Sequence, residues 1–325
     1  MRFALINSGL GLLATATELH KLRPDADLVI AMDPDGMPWG PRTPQDIAQR
    51  SLALARAAAR YEPDVIIMAC NTGSVHALEV LRSHFEPDIP VVGTVPAIKP
   101  AAAAARSVAI WATVATTESD YQRKLIDEFG SGAEVTPVAC PGLATAVDAG
   151  DSQAITAAIA DAAARTPARC GALVLGCTEY ELAADQIAAA VPDAILFGSA
   201  AAVATQALRR ANQAPATPAN TATTASTAST ASKANAAVGT ANAANAAAGT
   251  ASTANAANAA NAANAASTAN AAAGTANAAN AAVGTLTVLL SGRQASLPPA
   301  ALRYRQGREL AKLDVRRNPT PGLAV

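Results

Sequence analysis

Asp64-Val65-Ile66-Ile67-Met68-Ala69-Cys70-Asn71-Thr72 is a short aliphatic run ending in a thiol and two polar residues. About a hundred residues later, Ala172-Leu173-Val174-Leu175-Gly176-Cys177-Thr178-Glu179 repeats the pattern. Such runs are too short for a helix and do not alternate with polar residues, so each reads as a strand of a parallel sheet covered on both faces. Ligands of open α/β sheets bind at the carboxyl ends of strands. Each run therefore delivers a cysteine to a place where a ligand is expected.

Strands and helices alternate on either side of these runs. In the first half, a strand at residues 3–6 enters the turn Asn7-Ser8-Gly9-Leu10-Gly11. A helix at 12–22, a strand at 27–32, a loop with Pro38-Trp39-Gly40 and a helix at 43–60 follow. After the first cysteine strand come a helix to residue 84, a strand at 90–95 and a crossover at 96–100. The second half begins with a strand at 107–112 and the turn Thr113-Val114-Ala115-Thr116-Thr117. It continues with a helix at 119–129, a strand at 134–139, helices within 143–165, the second cysteine strand, a strand at 194–197 and a helix to 210. The order predicts an α/β protein of two similar lobes with mainly parallel sheets, related by pseudo-twofold symmetry, with a cleft between them. Residues 1–98 would form the first lobe, 99–195 the second, and 196–210 a return to the first. A strand at 286–290 and a helix at 298–307, within 285–325, would complete the first lobe.

Between these parts, residues 211–284 use little but Ala, Asn, Thr, Ser and Gly. No face there carries Leu, Ile or Phe to bury, which predicts a largely disordered insert in a surface connection. Long insertions of this kind are tolerated because loop-closure entropy grows slowly with length.

Composition narrows the function. The formal net charge is -1 with scattered basic residues, which argues against a nucleic-acid partner. Cys140 and Cys170 share no metal-ligand spacing with Cys70 and Cys177, and the three histidines lie apart, so no metal site is expected. The isolated cysteines 140 and 170 read as small core hydrophobes. The N-terminal run imitates a signal peptide but reads better as a first strand, and no other run is long enough to span a membrane, so a cytoplasmic protein is expected.

Opposed thiols have a specific chemical use. Inverting a carbon centre requires removal of a proton from one face and return of a proton to the other. A thiol with an ordinary pKa of about 8.5, lowered at a helix N-terminus, could serve as base or acid near neutrality.

The strings Asn7-Ser8-Gly9-Leu10-Gly11, Pro38-Trp39-Gly40, Cys70-Asn71-Thr72, residues 91–100, Ala112-Thr113 with Thr116, and Leu175-Gly176-Cys177-Thr178 resemble, in order and spacing, the cofactor-independent aspartate/glutamate racemases, most closely the glutamate-specific branch. The resemblance spans nearly all of residues 1–210. It implies that Cys70 and Cys177 transfer protons, Cys70 acting on the D enantiomer and Cys177 on the L enantiomer. It also implies that Asn7, Ser8, Trp39, Gly40, Asn71, Thr72, Thr113, Thr116, Thr178 and Glu179 surround a small acidic substrate. Neither pyridoxal phosphate nor a metal would be required. The partner would be the small molecule alone, with a homodimer as the expected assembly and D-glutamate for the cell wall as the product. Three positions depart from the glutamate branch, which usually has Asp, Tyr and His where this chain has Asn7, Trp39 and Glu179. A Cys-Thr-Glu string is closer to the aspartate branch. Aspartate or another small acid as substrate, and a non-catalytic amino-acid-binding homologue, are the alternative expectations.

Overall fold

The computed structural model describes residues 1–130, 132–213 and 283–313. Two sheets make up the protein. In the first, β1 (Arg2–Asn7), β2 (Asp27–Met32), β3 (Val65–Met68) and β4 (Val91–Val92) are parallel and ordered β2-β1-β3-β4. In the second, β5 (Ser107–Ala112), β6 (Glu134–Ala139), β7 (Ala172–Leu175) and β8 (Ile195–Phe197) are parallel and ordered β6-β5-β7-β8. The two orders are the same pattern twice, so the lobes repeat in topology, and the cysteine strands β3 and β7 are equivalent. The first sheet is extended at its β2 edge by β9 (Leu286–Leu290), parallel to β2, and by β10 (Arg293–Ala295), antiparallel to β9.

This order decides where a ligand can sit. The chain leaves β1 for β2 on one side and leaves β3 for β4 on the other, which opens a crevice between the carboxyl ends of β1 and β3. The same holds for β5 and β7. The turns after these four strands are the ones that carry Ser8, Cys70, Thr113 and Cys177.

The helices form where the local sequence directs them. α1 (Leu12–Leu22) buries Leu12, Leu13, Ala16 and Leu19, and α2 (Pro44–Ala59) starts on the Thr43 hydroxyl, which accepts the Asp46 N–H at 3.2 Å, with Pro at the first helical position. The remaining helices are α3 (Asn71–Phe85), α4 (Ile98–Ala104), α5 (Val114–Thr117), α6 (Asp120–Phe129), α7 (Leu143–Ala149), α8 (Ser152–Arg165), α9 (Ala184–Ala190), α10 (Ala200–Gln213) and α11 (Arg305–Leu310), with 3-10 turns at Thr178–Ala183 and Pro299–Arg303. One apolar cluster runs through both lobes, joining Leu5 and Leu13 of the first to Trp111, Leu175 and Tyr180 of the second. Two smaller clusters cover the outer faces, one around Ile6, Ile66 and Met68 and the other around Ile110 and Val174.

Several boundaries differ from the sequence reading. The strand expected at 90–95 keeps only Val91 and Val92, because the Thr94 N–H donates to the Ser74 hydroxyl at 2.8 Å and its own hydroxyl donates to the Met68 carbonyl at 2.8 Å, drawing the chain off the ladder. β8 pairs with β7 through Phe197, so the return to the first lobe is made by α10, against α1, and not from residue 196. After β9 the chain turns at Ser291 and Gly292, both with positive φ, into a hairpin the sequence reading lacked. The single helix expected at 298–307 is a 3-10 turn and then α11, separated at Tyr304, whose hydroxyl donates to the Val147 carbonyl at 2.6 Å. Most of the expected insert, residues 214–282, lies outside the described residues, as do 314–325.

Candidate active site

Cys70 ends the first cysteine run and caps α3, its sulfur accepting the Gly73 N–H at 3.4 Å. Cys177 stands at the equivalent place after β7 and leads into the 3-10 turn. Both face one cleft of about 420 Å³ between the lobes. Side chains of both lobes close its sides: Asn71 of α3 donates its Nδ2–H to the Gly176 carbonyl at 2.8 Å, and the Leu10 N–H donates to the Asp148 carboxyl at 2.7 Å.

Ten of the twelve expected site residues line this cleft: Ser8, Trp39, Gly40, Cys70, Asn71, Thr72, Thr113, Thr116, Cys177 and Glu179. Trp39 spends its indole N–H on Asp33 at 2.9 Å, so it offers the cleft an apolar ring. Thr113 accepts the Thr116 N–H at 3.3 Å and donates to the Thr116 hydroxyl at 3.0 Å, which holds the second-lobe turn. Asn71 Oδ1 is buried and has no hydrogen-bond partner among the described residues.

Asn7 and Thr178, expected to touch substrate, do not line the cleft. Asn7 is fully buried, and its Nδ2 donates to the Ala69 carbonyl at 2.6 Å and to the Thr178 hydroxyl at 3.1 Å. The two form a clasp behind the cleft wall, from the end of β1 to the turn after β7, because each side chain finds its partner in the other lobe. This is a correction to their expected role.

Sequence reading also missed three groups in the cleft wall: Cys140, Asp148 and Glu118. Cys140, read as a core hydrophobe, follows β6, and Asp148 rides α7 behind it. The loop after β6 occupies in the second lobe the place that the Pro38-Trp39-Gly40 loop, after β2, occupies in the first. The repeat itself was the available signal.

Electrostatics differ from the expectation of thiols ionising near neutrality. Burial and then the Glu179 charge push the Cys70 thiol up to about 12, outweighing the N–H groups of Gly73, Thr72 and Ser8. Burial, the same charge and the thiol's hydrogen bond to Glu179 hold Cys177 well above the ordinary thiol range, its S–H donating to Glu179 Oε2 at 2.8 Å. Asp148 is held well above the ordinary carboxyl range, first by burial and then by Glu179, with the Leu10 N–H opposing. The helix N-terminus at Cys70 is present, but desolvation wins.

Among the described residues no group of three His, Cys, Asp or Glu side chains is arranged to hold a metal ion, and no helix is long and apolar enough to cross a membrane. The two thiols share a cleft whose other lining groups include the hydroxyls of Ser8, Thr72, Thr113 and Thr116 and the amide of Asn71.

Comparison with known proteins points the same way. Residues 7–207 match the family described as Asp/Glu/Hydantoin racemase. Glutamate racemase of Pseudomonas entomophila (strain L48) is 36% identical over 211 residues, covering 63% of this chain and 79% of the relative. That of Herpetosiphon aurantiacus is 36% identical over 213 residues, covering 63% and 82%. The crystal structure of Escherichia coli glutamate racemase in complex with L-glutamate and the activator UDP-MurNAc-ala superposes with a TM-score of 0.61 at 28% identity, over 66% of this chain and 84% of that one. With the repeated lobes and a thiol on each side of the cleft, these likenesses establish that the chain belongs to the Asp/Glu/hydantoin racemase family.

Proposed function

We propose that this protein interconverts L-glutamate and D-glutamate by two-base proton transfer between Cys70 and Cys177. The observation that carries the reading is the placement of the two thiols at equivalent strand ends on one cleft. In the reaction one sulfur, as thiolate, takes the α-proton, breaking C–H and forming S–H. The opposite thiol gives its proton to the other face of the same carbon. With the roles exchanged the reaction runs in reverse, Cys70 acting on the D enantiomer and Cys177 on the L enantiomer.

The cleft suits an amino acid. Thr72 and Thr116 supply hydroxyl donors for the carboxylates, since the Ser8 hydroxyl donates to Asn7 Oδ1 and that of Thr113 to Thr116, and no Lys or Arg is among the described lining residues. Fixed neutral donors stabilise the charge that develops on the substrate as the α-proton leaves. The apolar ring of Trp39 covers the first-lobe side. Similarity to glutamate racemases supports glutamate as the substrate, with D-glutamate supplied to the cell wall. Cytoplasmic residence and a homodimer belong to the same reading, the second measurable by ultracentrifugation.

Proton NMR in deuterated water tests the reaction. Both glutamate enantiomers are expected to lose their α-proton signal while racemising. Absence of exchange with glutamate, when the same preparation exchanges aspartate, would reassign the substrate. No exchange with either would end the reading.

A further inference from the structure

The cleft contains three carboxyl groups and no described Lys or Arg to balance them. Glu118 is exposed, but Asp148 and Glu179 press against one turn of the first lobe from the second. Asp148 accepts the Leu10 N–H at 2.7 Å, and a Cβ at Gly9 would collide with its carboxyl group. A Cβ at Gly11 would stand 2.8 Å from Glu179 Oε1. Glu179 Oε2 accepts from Cys177 at 2.8 Å and from the Thr178 hydroxyl at 3.3 Å. Two desolvated carboxyl groups crowded on one turn without a cation cannot both be charged without a large penalty.

Resting on the racemase reading and deepening it, we propose that Asp148 and Glu179 hold one proton between them: Glu179 is the carboxylate that ionises Cys177, and Asp148 is the carboxylic acid that keeps the pair singly charged. The step balances. The S–H bond of Cys177 breaks, its electron pair stays on sulfur, and an O–H bond forms on Glu179 Oε2, so the net charge of Cys177, Glu179 and Asp148 stays at one negative. The thiolate then takes the substrate's α-proton, and Cys70 gives its own to the other face. After product release, solvent removes the Glu179 proton and returns one to Cys70. A neutral Asp148 leaves an acidic substrate one buried anion to meet in place of two.

The sign of the pH dependence follows. The active form carries the proton on Asp148, so kcat/KM falls as rising pH removes it. Among the described residues, the other titratable groups around the pair are Cys70, Cys140, Cys177 and Glu118 on the cleft, Tyr180 beside Glu179 and Tyr304 beside Asp148. Burial holds Tyr180 well above its ordinary range and pushes Cys140 and Tyr304 up to about 12, in the direction that keeps each neutral. Beyond them, Arg303 lies over Gly150, just past the end of α7.

Carbon-13 NMR of the full chain labelled at aspartate carboxyl carbons tests the proposal without relying on catalysis. One resonance, absent in Asp148→Asn, is expected to stay protonated well above the ordinary Asp value of about 3.9. Its midpoint is expected to fall in Glu179→Gln. Should Asp148→Asn fail to fold, Asp148→Glu removes the same resonance from the aspartate set. A midpoint in the ordinary range, or one that Glu179→Gln leaves unmoved, overturns the shared proton. In kinetics, Asp148→Asn is expected to move the alkaline limb of kcat/KM to higher pH, and Glu179→Gln to lower kcat by about 10²–10⁴-fold. A purely structural role for Asp148 would lower activity without moving that limb. If the titration behaves as stated but no amino acid is racemised, the functional reading fails and the shared proton stands. Racemisation with an ordinary Asp148 titration does the reverse: the shared proton falls and the racemase reading stands.

Discussion

Cys70 and Cys177 are both held as thiols by the protein around them, so the residue-scale question is what removes each proton and what each sulfur then does. Replacing either cysteine by Ala removes an acid/base group and is expected to lower kcat for racemisation by about 10²–10⁴-fold. The loss should appear in both reaction directions, measured by circular dichroism from pure L-glutamate and from pure D-glutamate. Asp148 also makes stability depend on pH. Its folded-state pKa is raised, so the folded chain keeps a proton that the unfolded chain releases. The contribution is fully present below the unfolded value of about 3.9 and is lost as pH rises through the folded value. Relative to the parent, Asp148→Asn is therefore expected to melt higher at pH 8 than at pH 4. Calorimetry at the two pH values checks this, and an equal gap at both would contradict it. Asn7 makes its contribution without facing the cleft. Asn7→Ala strands the buried Ala69 carbonyl and unclasps Thr178, for an expected loss of about 1–3 kcal/mol in urea unfolding.

At the scale of elements, the turn after β1 brings the two lobes together. Gly9 and Gly11 matter there as space and not as backbone freedom, since side chains of the second lobe occupy the volume a Cβ would take. Gly9→Ala and Gly11→Ala are each expected to cost about 1–3 kcal/mol by overpacking. Both should also lower kcat, because the displaced groups are Asp148 in one case and Glu179 with Thr178 in the other. Thermal melts alongside rate measurements check the pair; unchanged rates in both would show that the turn tolerates displacement. The elements themselves were largely legible. Helix α1 begins and ends where its apolar spacing and Pro24 place it, and the cysteine strands lie where their aliphatic runs are. The β4 strand was overextended because its ladder loses Thr94 to side-chain hydrogen bonds with Ser74 and Met68, which are distant in sequence.

The whole molecule is held by an apolar cluster common to both lobes, so the cleft has walls fixed by one core. β9 inserts Leu286 and Val288 into that cluster beside β2, and Leu289 into the outer cluster around Ile6 and Met68, although it follows the chain's low-complexity stretch. The two flanks are anchored independently, α10 on α1 and β9 on β2. Replacing residues 214–282 by a Gly/Ser linker about a third as long should thus preserve fold and rate. Shorter closure is expected to add about 1 kcal/mol of stability, read from denaturant midpoints at equal slope. A large loss of either stability or rate would assign the replaced stretch a role beyond connection.

By itself the sequence determined the parallel strands, the repetition of the lobes and the two thiols at equivalent strand ends, because these follow from local apolar runs and the turns that end them. Ten of the twelve residues expected at the site line one cleft in the folded chain. Tertiary structure alone decided that Asn7 and Thr178 clasp each other behind the wall, that Cys140 and Asp148 enter it, and that both thiols are pushed up and not down. Those outcomes depend on which side chains from the opposite lobe fill the neighbouring space and exclude water from it. Asn7 meets Thr178, and Leu10 meets Asp148, across more than a hundred residues of chain. Local pattern carries no record of such encounters, and desolvation, which sets the proton affinities here, exists only after they have formed.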